Sequence, residues 1–153
     1  MDEFQGHASV RVDATPEAVF ELITDVDRLP EWNGAIERVD QRPDALRVGA
    51  EWTVRMHPPR MPHWGSASRV TELDSDERRF AYETRNTDGN PSTVTWAWRV
   101  EPVADGGTNV TVQWHCVLRT FDRRHFAGPM RKRQLAREVP RSLGALADAL
   151  AER

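Results

Sequence analysis

The sequence holds one cysteine, Cys116, one tyrosine, Tyr82, and one lysine, Lys132, among 153 residues. A single thiol excludes an internal disulfide and any zinc site built from several cysteines. No apolar run is long enough for a membrane-spanning helix, and the opening Met1-Asp2-Glu3-Phe4 lacks the basic and apolar stretches of a signal peptide. There is no glycine-rich phosphate loop and no dinucleotide fingerprint. A net charge of −3 without a like-charge tail argues against a dedicated nucleic-acid binder. These absences predict a cytoplasmic domain with no cofactor and no stable membrane insertion.

What remains describes a folded chain. Apolar residues make up 39% and charged residues 29% of it, which suits a globular domain. A chain of this length hides roughly 70% of the surface its unfolded form exposes, enough for a real core. Six tryptophans stand against the single tyrosine, and their placement is patterned.

Val10 and Val12 alternate within a first strand over 8–14. Thr15 as N-cap and Pro16 at the first helical position then open a helix carrying Val19, Phe20, Leu22 and Ile23. A second, shorter helix is predicted over 27–32. Six strand-like runs follow, at about 36–43, 50–57, 63–74, 78–86, 92–102 and 107–119. Val94, Trp96, Trp98 and Val100 share one face of their run, with Thr93, Thr95, Ala97 and Arg99 on the other. Val110, Val112, Trp114, Cys116 and Leu118 repeat the pattern. Such one-sided strands belong to an antiparallel sheet with one wet face.

From about 126 to 151 the period changes to that of a helix. Leu135, Val139, Leu143, Leu146 and Leu150 form one apolar stripe, and Pro140 is expected to kink or break it. A sheet with one apolar face and one long amphipathic helix predicts an α+β domain over 7–152, the sheet curling round the helix.

The run V-R-V-D-A-T-P-E-A-V-F-E-L-I-T-D at 10–25 and L-P-E-W at 29–32 stand at the front of the chain. V-G at 48–49, G-G-T-N-V-T at 106–111 and the terminal helix follow. In this order they resemble the START-like (SRPBCC) superfamily, in its polyketide cyclase/dehydrase and lipid-transport group, over nearly the whole chain. The resemblance implies a helix-grip fold. In that fold a seven-stranded antiparallel sheet wraps a long C-terminal helix around a deep apolar cavity, with two short helices between strands 1 and 2. It does not imply one function, since members include ligand carriers, hormone receptors and aromatase/cyclases.

Alternate hairpin loops of an antiparallel sheet lie at opposite ends, so the connections at 57–63, 86–91 and after 119 should ring one mouth. Facing inward near it are Val54, Met56, Trp64, Ser66, Ser68, Thr84, Val94, Trp96, Cys116 and Leu118, with Phe126 and Met130 expected from the helix. Trp52, Tyr82, Trp98 and Trp114 should lie deeper. Aromatic walls with a few hydroxyls suit a hydrophobic ligand, lipid-like or aromatic and polyketide-like. Large inward tryptophans also fill solid cores. Ser66, Ser68 and Thr84 on the same face weigh against that, because each buried hydroxyl without a partner costs about 1–3 kcal/mol. Trp32 reads equally as a plug between helices and sheet and as a ligand contact.

Aromatase/cyclases of the superfamily carry a Trp-x-Ser-x-Arg strand whose arginine enters the cavity. Here Trp64 and Ser66 match, but Ser68 occupies the arginine position. Arg69 comes one residue late, which in a strand means the opposite face. His57, His63 and His125 fall near the mouth without metal-site spacing and are expected as loop histidines, so no metal is expected. His115 alternates outward, and buried Cys116 is expected to be inert. No catalytic residue is assigned.

Residues 119–141 carry eight basic side chains against Asp122 and Glu138. This is either a solvated helix face or a collar for an anionic ligand or an acidic carrier protein. With no inward acid or base in view, ligand binding leads. A cyclase/dehydrase enzyme and a ligand-gated regulatory or partner-binding module remain the alternatives.

Overall fold

In the computed structural model, which describes residues 2–151, the period-2 segments form β1 (Glu3–Val12), β2 (Ile36–Gln41), β3 (Glu51–Met56), β4 (Trp64–Asp74), β5 (Arg79–Asn86), β6 (Thr93–Pro102) and β7 (Thr108–Val117). Residue 152 of the expected domain lies outside the described residues. The strands make one antiparallel sheet in the order β1-β7-β6-β5-β4-β3-β2. β2 to β7 form a meander, and β1 closes onto β7 from the other end of the chain. Extra residues at Glu37, Asp40 and Thr71 interrupt the pairing of β2 with β3 and of β4 with β5. Bulges of this kind bend a strand and increase its twist, which helps the sheet curl.

β1 begins at Glu3, five residues earlier than the alternation of valines predicts. The reason is Gly6. A Cβ there would meet the Trp114 ring at 2.3 Å, so the strand gives up a side chain to make room for its neighbour's indole and loses its apolar signature.

α1 (Pro16–Ile23) starts as predicted: Ala18 N–H donates to Thr15 Oγ1 at 3.1 Å, and Pro16 occupies the first turn. A 3₁₀ turn at Val26–Arg28 and α2 (Leu29–Trp32) complete the link to β2. α3 runs from Gly128 to Ala151 after a π-helical turn at Arg123–Ala127. Pro140 does not break it. The proline lies on the exposed side, and the helix continues through it, held by the inward Leu135, Val139, Leu143, Leu146 and Leu150. These side chains pack with Val12, Val19, Leu22, Val100, Val110 and Val112 into the core. The whole is the helix-grip architecture: a seven-stranded curled sheet, short helices between β1 and β2, and a long helix in its grasp.

Candidate functional site

Register decides which side chains meet. Trp52 pairs with Ser68, Ser68 with Thr84, Thr84 with Val94, and Val94 with Cys116, so five adjacent strands place one row on the inner face. A second row, deeper by one pair, runs Val70, Tyr82, Trp96, Trp114. Between these rows and α3 lies a cavity of about 400 Å³, within the range of small-molecule sites.

Of the residues expected from the sequence, Trp52, Val54, Met56, Trp64, Ser66, Ser68, Tyr82, Thr84, Trp96, Trp98 and Cys116 line this cavity. Trp114 does not; it is buried behind the wall, its ring 5.9 Å from that of Trp96 and against Gly6. Phe126 and Met130 face outward, 62% and 61% exposed. Met130 sits about 140° round the helix from Leu135, whereas Arg131 sits about 40° from it. The inward helix positions are therefore Gly128 and Arg131. A side chain at Gly128 would strike Leu118 Cδ1 at 2.4 Å, so glycine lets the helix approach the end of β7.

The mouth is polar and tied together. Asp88 pairs with Arg123 at 3.6 Å, Asn90 Nδ2 reaches Thr120 Oγ1 at 3.5 Å, and Arg119 N–H donates to Ser92 Oγ at 3.0 Å. These contacts fasten the β5–β6 loop to the start of α3. Inside, the hydroxyls of Ser68 and Thr84 share a hydrogen bond at 3.0 Å, and Trp98 Nε1 donates to Tyr82 Oη at 3.3 Å. Burial pushes the Tyr82 phenol up to about 12, with the Trp98 contact pulling slightly the other way. Burial likewise raises the Cys116 thiol to about 12, partly offset by Arg131. Neither group ionises near neutral pH, so neither is a ready base or nucleophile.

Arg131 is the cation that the sequence reading missed. Its guanidinium lies 5.2 Å from the centroid of the Trp64 ring and donates to Gln134 Oε1. Burial lowers its pKa from 12.5 to about 10, which still leaves it charged at neutral pH. It forms no ion pair among the described residues, while its helix neighbour Glu138 pairs with Arg141 at 3.6 Å. Arg69, in contrast, is exposed on the outer face, opposite Glu51 and Glu83.

The histidines divide. His115 is on the outer face, 3.0 Å from Glu3. His57 and His63 stack at 3.6 Å between ring centroids, and the bulged Glu37 brings its carboxylate to their side. These three form the one group among the described residues whose donor atoms, all within 4.8 Å, are close enough to share a cation. All three are exposed, and Arg38 already holds Glu37 Oε2 at 3.4 Å. A cation there would have to displace that pair and open the ring stack.

Against known proteins, the polyketide cyclase / dehydrase and lipid transport family model matches residues 4–151. The chain belongs to that family. No curated protein sequence matches it. Among solved structures, the family member is similar to the Zhui aromatase/cyclase from Streptomyces sp. R1128, with a TM-score of 0.82 at 19% identity over 99% of this chain and 95% of that one. It is also similar to TTHA0849 from Thermus thermophilus, with a TM-score of 0.75 at 15% identity over 97% and 98%. A third is CV1439 from Chromobacterium violaceum, with a TM-score of 0.73 at 20% identity over 95% and 96%. At these identities the likeness concerns the fold. Among the described residues of this family member, no helix is long and apolar enough to cross a membrane.

Proposed function

We propose that the protein binds one hydrophobic small molecule, aromatic or lipid-like, in the cavity between sheet and helix. The observation that carries this reading is the inner row from Trp52 to Cys116 facing about 400 Å³ of space. Cores are normally packed to crystal-like density, and a void this size among tryptophans is far larger than packing defects leave. Membership of a cyclase and lipid-transport family agrees with an apolar cargo. The test is titration with 1-anilinonaphthalene-8-sulfonate, followed by its fluorescence, and displacement by 2-ethylnaphthalene. One saturable, displaceable site is expected; weak binding without saturation or displacement would contradict the proposal.

A cyclase role is the second reading, and Arg131 favours it. A cation over an aromatic wall can stabilise an enolate oxygen that develops as a polyketone chain folds. Ser68 in place of a strand arginine, with Tyr82 and Cys116 held neutral, leaves that role without an evident acid–base pair. Binding is therefore the leading proposal. On the outside, Arg119, Lys132, Arg133 and Arg137 are exposed beside the apolar Phe121, Phe126 and Met130. That surface supports an acidic carrier protein as the source of the ligand, and a cytoplasmic setting for the exchange.

A further inference from the structure

Two buried donors have no partner. Trp32 Nε1 and Gln134 Nε2 are shielded from solvent, in residues 2% and 5% exposed, and neither finds an acceptor in the protein. Buried N–H groups are nearly always satisfied, so two orphans in one place call for an explanation. Both residues line a small annex of about 40 Å³ that shares Arg131 and Trp98 with the main cavity. Gln134 cannot exchange its amide ends without cost: its Oε1 accepts from Arg131, which fixes Nε2 as the free donor. Trp32 is held by its edge-on contact with Trp98, ring centroids 5.5 Å apart. Three nitrogen donors and no acceptor thus border one end of an otherwise apolar chamber.

We infer that this annex is the polar pole of the binding site and takes an anionic oxygen of the ligand, a carboxylate or acidic enol, from Trp32, Gln134 and Arg131. The proposal deepens the ligand-binding reading and rests on it. An anion here supplies acceptors to both orphaned donors and a counter-charge to a guanidinium that burial disfavours. A neutral hydrocarbon of the same shape supplies neither. The annex holds little more than the polar end of a molecule, so the apolar body lies in the larger chamber.

The experiment is calorimetric titration with three probes of one shape: 2-naphthoate, 2-acetylnaphthalene and 2-ethylnaphthalene. The expected order is naphthoate, then the ketone, then the hydrocarbon. Trp32→Phe and Gln134→Met should each weaken naphthoate about tenfold, the scale of one lost charge-assisted hydrogen bond, and leave ethylnaphthalene unchanged. Arg131→Met should bring naphthoate down to the hydrocarbon's level. Without ligand, Trp32→Phe and Gln134→Met should keep or raise Tm, because each removes a buried donor that has no partner. Naphthoate binding no tighter than ethylnaphthalene would overturn the polar pole and leave the cavity reading standing. Parallel losses for both probes in the variants would overturn it as well, by showing a purely structural role. Failure of all three probes would remove the pole and the cavity reading together.

Discussion

The two ends of the gripped helix are built from the same periodicity and do opposite things. Toward its C-terminus α3 presents Leu143, Leu146 and Leu150 to Val12, Val19, Val100 and Val110, and no space is left. Toward its N-terminus the same stripe continues as Gln134, Arg131 and Gly128 against Trp52, Trp64 and Trp96, and the cavity opens. The sheet contributes to the difference by its side chains, valines facing the leucines and tryptophans framing the void. A fold of this kind is stabilised at one end so that the other end can remain incompletely packed.

The largest expected effect distinguishes the ends by chemistry. Cys116 lines the open end, yet its thiol is raised from 9.0 to about 12 by burial. Alkylation by iodoacetamide at pH 8 should run about a thousandfold slower in the folded chain than in urea. Because the folded thiol holds its proton to higher pH than the unfolded one, this group's contribution to stability is lost as pH climbs from 9.0 toward about 12. Equal alkylation rates would mean that the cavity wall is wet and the comparison is wrong.

Next comes a pair of identical truncations. Leu146 is fully buried in the packed end, and Leu118 is buried at the rim of the cavity. Leu146→Ala should cost about 3–5 kcal/mol in urea unfolding, since it removes contacts and leaves a new hole. Leu118→Ala merely enlarges a space that already exists and should cost about 2 kcal/mol. Equal costs would show that the open end is packed as tightly as the closed one.

A smaller effect checks the cover of the packed end. Thr15→Ala removes the acceptor for Ala18 N–H and should cost about 1 kcal/mol, read from the same unfolding curves. Probe binding at the open end should not change, and a parallel loss of binding would show that the two ends are coupled.

The same contrast governs what the sequence could reveal. Strand order, the curl and the capped first helix were legible because alternation and Thr15-Pro16 are local signals. β1 was under-read because Gly6 leaves its strand position without a side chain to make room for Trp114. The inner sheet face was legible from period 2, including Ser66, Ser68 and Thr84. The helix side was not: Phe126 and Met130 were chosen for being apolar, whereas helical phase carried back from Leu135 leads to Arg131 and Gly128. Charge hid the right residues, and only the geometry shows that a stripe of leucines continues as an arginine. The His57–His63 stack was invisible for a related reason, because it is made by strand pairing and a bulge at Glu37 rather than by sequence spacing.

The central claim is that the space beside the tryptophans is a binding chamber. Ser68 faces that space in the middle of the inner row, so Ser68→Phe should fill it without the strain that overpacking a solid core would bring. The decisive measurement is 1-anilinonaphthalene-8-sulfonate titration of this variant beside the parent chain, with Tm recorded for both. A binding chamber predicts that Tm is kept and binding is lost. Undiminished binding would place the probe elsewhere, and a collapse of Tm would show that the chamber was core after all; either result would contradict it.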